Sequence, residues 1–172
     1  MGRRPLTEHG PVRTAPRRTL VPVLMIDRTT YAAIVAHARR DHPDEACGVV
    51  AGPAGSDRPE RLVPMLNAAR SPTFYEFDSH DLLALYRDMD ERDEEPVVVY
   101  HSHTATEAYP SRTDIALAQE PNAHYVLVST RDPQVEEFRS FRIVDGTVSE
   151  EEVQVVAALH EAPQPSTRST PR

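Results

Sequence analysis

His101-Ser102-His103 is followed by seven residues, then Ser111, two more residues and Asp114. In an extended strand, residues two apart face the same side. Both imidazoles of this His-x-His therefore aim at one point. Asp114 comes eleven residues after His103, enough chain for a loop to fold back over a strand end. Two ring nitrogens and a carboxylate oxygen are donors that zinc accepts, and three protein donors leave the fourth position for water, the catalytic rather than the structural pattern. A His-x-His pair alone is more often structural or incidental. Ser and Asp at fixed downstream spacing, beside an apolar strand, make the set specific.

Such a site needs a base for the water proton. Asp44-Glu45-Ala46-Cys47-Gly48 supplies Glu45, just ahead of a buried strand that could hold it rigidly. General acid–base work of this kind is worth about 10²–10⁴ in rate. The Ser111 hydroxyl, one turn ahead of Asp114, is placed to stabilise the oxyanion of an attacked amide. Competing signatures are missing: there is no His-Glu-x-x-His and no Pro-Cys-x-x-Cys. Every basic residue is Arg, which rules out a Schiff-base lysine. The single cysteine, Cys47, excludes an internal disulfide and a multi-cysteine zinc site. Its default reading is a small buried residue. A second reading has it reach the metal as a redox-sensitive gate in the water position.

The elements that would position these groups follow from the residue pattern. Pro96 to Tyr100 is a continuous β-branched run, as expected of a strand covered on both faces. Leu20 to Ile26 reads as a first strand, and Asp27 caps a helix over 28–41 with Tyr31, Ile34, Val35 and Ala38 on one face. Cys47 to Gly52 and Glu60 to Asn67 make a hairpin. Thr73 to Phe77 alternates as a strand would. Asp78 or Ser79 caps a helix to about Arg92, with Leu82, Leu83, Leu85, Tyr86 and Met89 on its apolar side. Glu91 to Glu95 is an acidic turn. Ser111 caps a short helix. His124 to Thr130, Glu136 to Val144 and Thr147 to Val156 are strands, the last two joined by Asp145-Gly146. The end of the last is expected to pass into a helix around Val153 to His160. The fold class is α/β.

Length and charge bound the rest. The 172 residues suffice for one domain, expected over residues 19–160. Residues 1–18 and 161–172, rich in Pro, Arg, Ser and Thr, are expected to be disordered tails. A net charge of −8 argues against nucleic acid as a partner. No apolar run approaches the roughly 18 residues needed to span a bilayer, and the start lacks the apolar stretch of a secretory signal. A cytoplasmic enzyme is expected, with no membrane partner.

Glu45 with His101-x-His103, Ser111 and Asp114 matches at every position the motif of the JAMM (MPN-plus, JAB-domain) zinc metalloprotease family, which the chain resembles from about Val21 to Val156. Ala38 to Gly48 and Tyr100 to Asp114 look most like its bacterial members that act on sulfur carriers. The resemblance implies a single MPN domain, a mixed central sheet flanked by helices and layered as in cytidine deaminases. It implies one zinc per chain on His101, His103 and Asp114, with Glu45 as base and Ser111 as oxyanion donor. The implied reaction cuts the amide after the terminal Gly-Gly of a ubiquitin-like sulfur carrier of the CysO, ThiS or MoaD type. The product is either cysteine, in cysteine biosynthesis, or a short extension whose removal exposes Gly-Gly for sulfur loading.

An extended tail of that kind could pair with an exposed strand edge. Asn67 to Tyr75 and Thr104 to Pro110 are the expected channel walls, with Ser71, Phe74, Thr104 and Tyr109 as substrate contacts. The same loops could equally be plain connections. The chain is short for the insertions with which ubiquitin-directed relatives clamp their substrate, so ubiquitin itself is not expected. A homodimer is compatible with such a domain. Two other readings stay open: a metal-free MPN scaffold, and a zinc hydrolase of small peptides.

Overall fold

The computed structural model describes residues 23–159. The two tails expected from the sequence, Leu20 to Pro22 and His160 lie outside the described residues. The chain runs β1 (Val23–Asp27), α1 (Arg28–Asp41), β2 (Cys47–Pro53), β3 (Arg61–Met65), α2 (Ser79–Glu91), β4 (Glu94–His103), α3 (Arg112–Leu117), β5 (His124–Ser129), β6 (Glu137–Val144) and β7 (Thr147–Val156). The seven strands form one mixed sheet in the order β1-β7-β6-β5-β4-β2-β3. β4 pairs parallel with β5 and β1 parallel with β7; the other pairs are antiparallel. Single-domain α/β architecture with a mixed sheet is what the motif led us to expect.

β4 sits centrally because it can be buried on both sides: Val97 to His103 are all buried. Its alternate side chains feed different cores. Val98 and Tyr100 join Leu24, Ile26, Val50 and Val126 beneath Ile34 and Ala38 of α1. Val99 faces the other way with Tyr125, Leu127 and Phe141. Beside it, Cys47, Val49 and Ala51 pack against Leu85 and Met89 of α2. His101 and His103 share the parity of Val99, so both rings fall on the α2 and α3 side. Tyr100 reaches under β2 only because its cross-strand partner is Gly48; a Cβ there would meet the tyrosine ring. The Tyr100 hydroxyl donates to His37 Nδ1 at 2.7 Å, and His37 Nε2 donates to Asp41 Oδ2 at 3.0 Å. Burial lowers the His37 pKa, consistent with that neutral tautomer.

Several expectations need correction. Thr73 to Phe77 is not a strand; only Phe77 forms an isolated bridge, to Asn67. The Asn67 side chain takes the place of a ladder there, bonding the Phe74 carbonyl and the Glu76 N–H. β7 continues as strand to Val156, held by parallel pairing with β1, and no helix begins at Val153. Glu94 and Glu95 belong to β4, opposite Pro53 and Gly52, so the acidic turn is confined to its start. On α2, Leu85 and Met89 are buried, whereas Leu83 is half-exposed at 50%.

β7 also carries a buried charge. Glu151 accepts from His124 Nδ1 at 2.6 Å, Arg142 Nε at 2.8 Å and Ser140 Oγ at 3.0 Å. Asp57, in the loop between β2 and β3, bonds His124 Nε2 at 2.9 Å and Arg142 Nη2 at 3.0 Å. Burial alone would raise the Glu151 carboxyl, but His124 and Arg142 outweigh it and hold the pKa low. Removing one partner of a buried pair strands the other charge, at about 3–5 kcal/mol. Glu151→Ala is therefore expected to lose about that much stability in urea unfolding at neutral pH. With its folded pKa depressed, the carboxylate stabilises the fold above the ordinary glutamate range. That stabilisation is lost as pH falls through the depressed value. The gap between parent and variant should accordingly shrink in acid.

Candidate active site

At the end of β4 three donors converge. His101 Nε2 lies 3.4 Å from Asp114 Oδ1, His103 Nε2 lies 3.3 Å from Asp114 Oδ2, and the two Nε2 atoms are 3.2 Å apart. Both histidines are buried. A four-coordinate ion roughly 2.0–2.1 Å from each donor needs its donors about 3.3–3.4 Å apart. The three side chains thus fit one metal ion, and they form a compact group of potential ligands.

The proton positions point the same way. His103 Nδ1 lies 2.9 Å from the Glu107 carbonyl, which can only accept, so Nδ1 carries the proton. Its Nε2 then faces a carboxylate and a second imidazole, a place that a shared proton or a metal ion can fill. Burial lowers the His103 pKa, yet the Asp114 carboxylate and the Glu107 carbonyl more than reverse it. His101, wholly enclosed, is lowered by burial. Asp114 is raised by burial but pulled well below the carboxylate range by the two histidines and the Ser111 contact.

Local structure accounts for each placement. Strand alternation brings the two rings together. Asp114 is held by a capping box on α3: its Oδ2 accepts the Ser111 N–H at 2.6 Å, and Ser111 Oγ accepts the Asp114 N–H at 3.2 Å. The Ser111 oxygen is thereby an acceptor, and its O–H stays able to donate.

Glu45 precedes β2 and is buried. Its backbone is pinned on every side. Its N–H donates to the Ser71 carbonyl at 2.9 Å, and its carbonyl accepts from Asn67 Nδ2 at 3.0 Å. The next residue, Ala46, donates to Ser102 Oγ at 2.8 Å and accepts the Ser102 N–H at 2.9 Å. Ser102 is the middle residue of His-x-His, so one strand turns two histidines to the donor group and a serine back to the Glu45 segment. Burial chiefly, and the Asp114 charge, lift the Glu45 carboxyl to about 7 despite the opposing pull of His103. Glu45 stands outside the three-donor group. A bound cation would lower its pKa again.

Sequence reasoning gave Asn67, Ser102 and Tyr75 no individual role, although Asn67 and Tyr75 bound a segment expected as a channel wall. Asn67 uses all its capacity: Nδ2 donates to the Glu45 and Phe74 carbonyls at 3.0 Å each, and Oδ1 accepts from Ala69 and Glu76 at 3.0 and 3.1 Å. Its only signal was a polar residue closing an apolar strand. Asn67→Ala is expected to cost about 1–3 kcal/mol, because buried carbonyls lose their donor. The midpoint of urea unfolding checks it, and a parent-like midpoint would remove the Asn67 side chain from the support of these two carbonyls.

The expected substrate contacts fare unequally. Phe74, with Tyr75, Leu85, Tyr86 and Val99, lines a cavity of about 260 Å³ whose wall also includes Asp114 and Glu120. Thr104 and Ser71 bond within the loops: Thr104 Oγ1 donates to the Pro72 carbonyl at 2.8 Å, and Ser71 Oγ lies 3.5 Å from Thr73 Oγ1. Tyr109 turns edge-on to Phe141, centroids 5.3 Å apart, under the Arg139 guanidinium, and stays 43% exposed. Cys47 does not reach the donor group. Its thiol points to the Met65 carbonyl, 3.8 Å away, and burial pushes its pKa up to about 12. The gate is corrected on this geometry: an enclosed thiol turned to a β3 carbonyl stands outside the donor group.

Among the described residues no helix is long and apolar enough to cross a membrane. Residues 27–144 match the model for prokaryotic homologs of the JAB domain. A CysO-cysteine peptidase of Mycobacterium tuberculosis is 68% identical over 140 residues, 81% of this chain and 96% of that protein. A desampylase of Haloferax volcanii is 31% identical over 102 residues, 56% of this chain and 73% of that protein. A solution structure of a Desulfitobacterium hafniense protein superposes with a TM-score of 0.69 at 32% identity, covering 80% of this chain and 95% of that one. With the domain model spanning most of the described fold and the peptidase relative matched almost end to end, the chain belongs to the prokaryotic JAB-domain family of JAMM peptidases.

Proposed function

We propose that this protein is a zinc hydrolase that cuts the amide bond after the C-terminal Gly-Gly of a ubiquitin-like sulfur carrier and releases cysteine. The observation that carries the reading is the triangle of His101, His103 and Asp114 with buried Glu45 beside it. The name of the mycobacterial relative supplies the substrate class. In this reading His101, His103 and Asp114 hold one zinc ion, which when bound supplies Lewis acidity and a water whose pKa is brought toward about 7. Glu45 takes the water proton and returns it to the leaving amine of cysteine. The Ser111 hydroxyl, its oxygen already anchored by the Asp114 N–H, donates to the oxyanion. Thr104, Ser71 and Phe74 border the path of the extended tail, for which a narrow groove suits two glycines.

Mass spectrometry of a carrier–cysteine conjugate incubated with the protein, with and without chelator, tests the reading. Expected is a carrier ending in Gly-Gly plus free cysteine, with no product under chelation. Release of a longer peptide from an extended carrier, but none of cysteine, would replace cysteine formation by carrier maturation. Equal turnover of the free peptide Gly-Gly-Cys would point to a small-peptide hydrolase. No turnover, with less than stoichiometric zinc after loading, would point to a scaffold.

A further inference from the structure

The two histidines of the donor group are held in different ways. His103 has the usual support, its Nδ1 bonded to the Glu107 carbonyl and 3.0 Å from Thr106 Oγ1. His101 has none: its Nδ1 is buried and, among the described residues, the one enclosed side-chain polar atom without a hydrogen-bond partner. Metal-binding histidines almost always donate the second ring nitrogen to a fixed acceptor, which sets both tautomer and ring plane. What meets the His101 ring instead is the face of Tyr75, with centroids 4.5 Å apart and planes inclined by 26°. Tyr75 in turn packs edge-on against Phe77 at 5.4 Å, and both join the core of Cys47, Val49 and Leu85.

We infer that Tyr75 is a positioning residue, whose ring replaces the missing hydrogen bond and fixes the plane in which His101 presents Nε2 to a metal ion. The inference rests on the reading of His101 as a zinc ligand. An offset stack restrains tilt out of the plane but leaves Nδ1 dry, so the neutral ring depends on enclosure alone. The same segment holds Glu45 through the Asn67 side chain and the Ser71 carbonyl, and the loop after His103 through Thr104. Residues 67–77 therefore brace the base and one ligand together.

The test is zinc affinity by chelator competition in parent, Tyr75→Phe, Tyr75→Leu and His101→Ala. Expected is parent-like affinity in Tyr75→Phe, which keeps the ring, and a loss of about 10–100-fold in Tyr75→Leu, the cost of removing a supporting partner. Parent-like affinity in Tyr75→Leu, or an equal loss in Tyr75→Phe, would overturn the inference. Failure of the parent to bind zinc, or undiminished binding in His101→Ala, would instead overturn the ligand assignment beneath it. A measurement on the unaltered protein covers the case in which Tyr75→Leu does not fold. The ring protons of His101 should be shifted upfield by the Tyr75 ring current in the zinc-loaded protein, and unshifted protons would show that the stack is absent.

Discussion

The Asp114→Ala protein is expected to retain no stoichiometric zinc after dialysis and to turn over substrate no faster than the chelated parent. Asp114 is the only charged donor of the three, and each of its oxygens faces one histidine. Without it two neutral imidazoles remain, and their affinity should fall by more than the 10–100-fold that loss of a mere supporting partner costs. The substitution also removes the acceptor for the Ser111 N–H, so a loss of about 1 kcal/mol from the cap is expected alongside. Asp114→Asn separates the two effects. Its amide oxygen can still accept the Ser111 N–H, so stability should stay near the parent's while zinc binding is still weakened by the lost charge. Metal content by elemental analysis, read beside urea unfolding, decides it. Full zinc occupancy in Asp114→Ala would remove Asp114 from the ligand set.

Much of this site could be read before any coordinates, because its geometry is carried by short-range rules. Strand alternation alone puts His101 and His103 on one side and Ser102 on the other. Ser111 and Asp114 are three apart, the spacing of a capping box, so the helix start that orients the carboxylate is written in the local sequence. The central position of β4 follows from its unbroken apolar run. What could not be read depends on contacts between segments distant in the chain. Thr73 to Phe77 alternates like a strand, yet the Asn67 side chain occupies the backbone groups that a neighbouring strand would need. Tyr75 stacks on a ring 26 residues away, and no periodicity announces that. Leu83 was placed on the apolar side of α2 by type, and its exposure to solvent overrode the assignment. β7 stays extended to Val156 because β1, at the opposite end of the chain, pairs with it.

Glu45→Gln is expected to keep its zinc and lose about 10²–10⁴ in kcat. The two halves of that outcome have separate physical grounds. Glu45 lies outside the three-donor group, so an amide there leaves the ligands intact. The hydrogen bonds that place residue 45 run through its backbone, to Ser71 and Asn67, so Gln sits where Glu sat. What disappears is a group able to take and return a proton, and an amide cannot replace it near neutral pH. Burial disfavours the ionised carboxylate at this position, and Gln has no charge to desolvate. The metal-free variant should accordingly melt at or above the temperature of the metal-free parent, which rules out unfolding as the source of lost activity. Asp114→Ala loses metal and turnover together, whereas Glu45→Gln loses turnover alone. That contrast distinguishes a base from a ligand. Retained turnover in a zinc-loaded, folded Glu45→Gln would assign the proton transfer to another group, and the Ser111 hydroxyl would then be the next residue to vary.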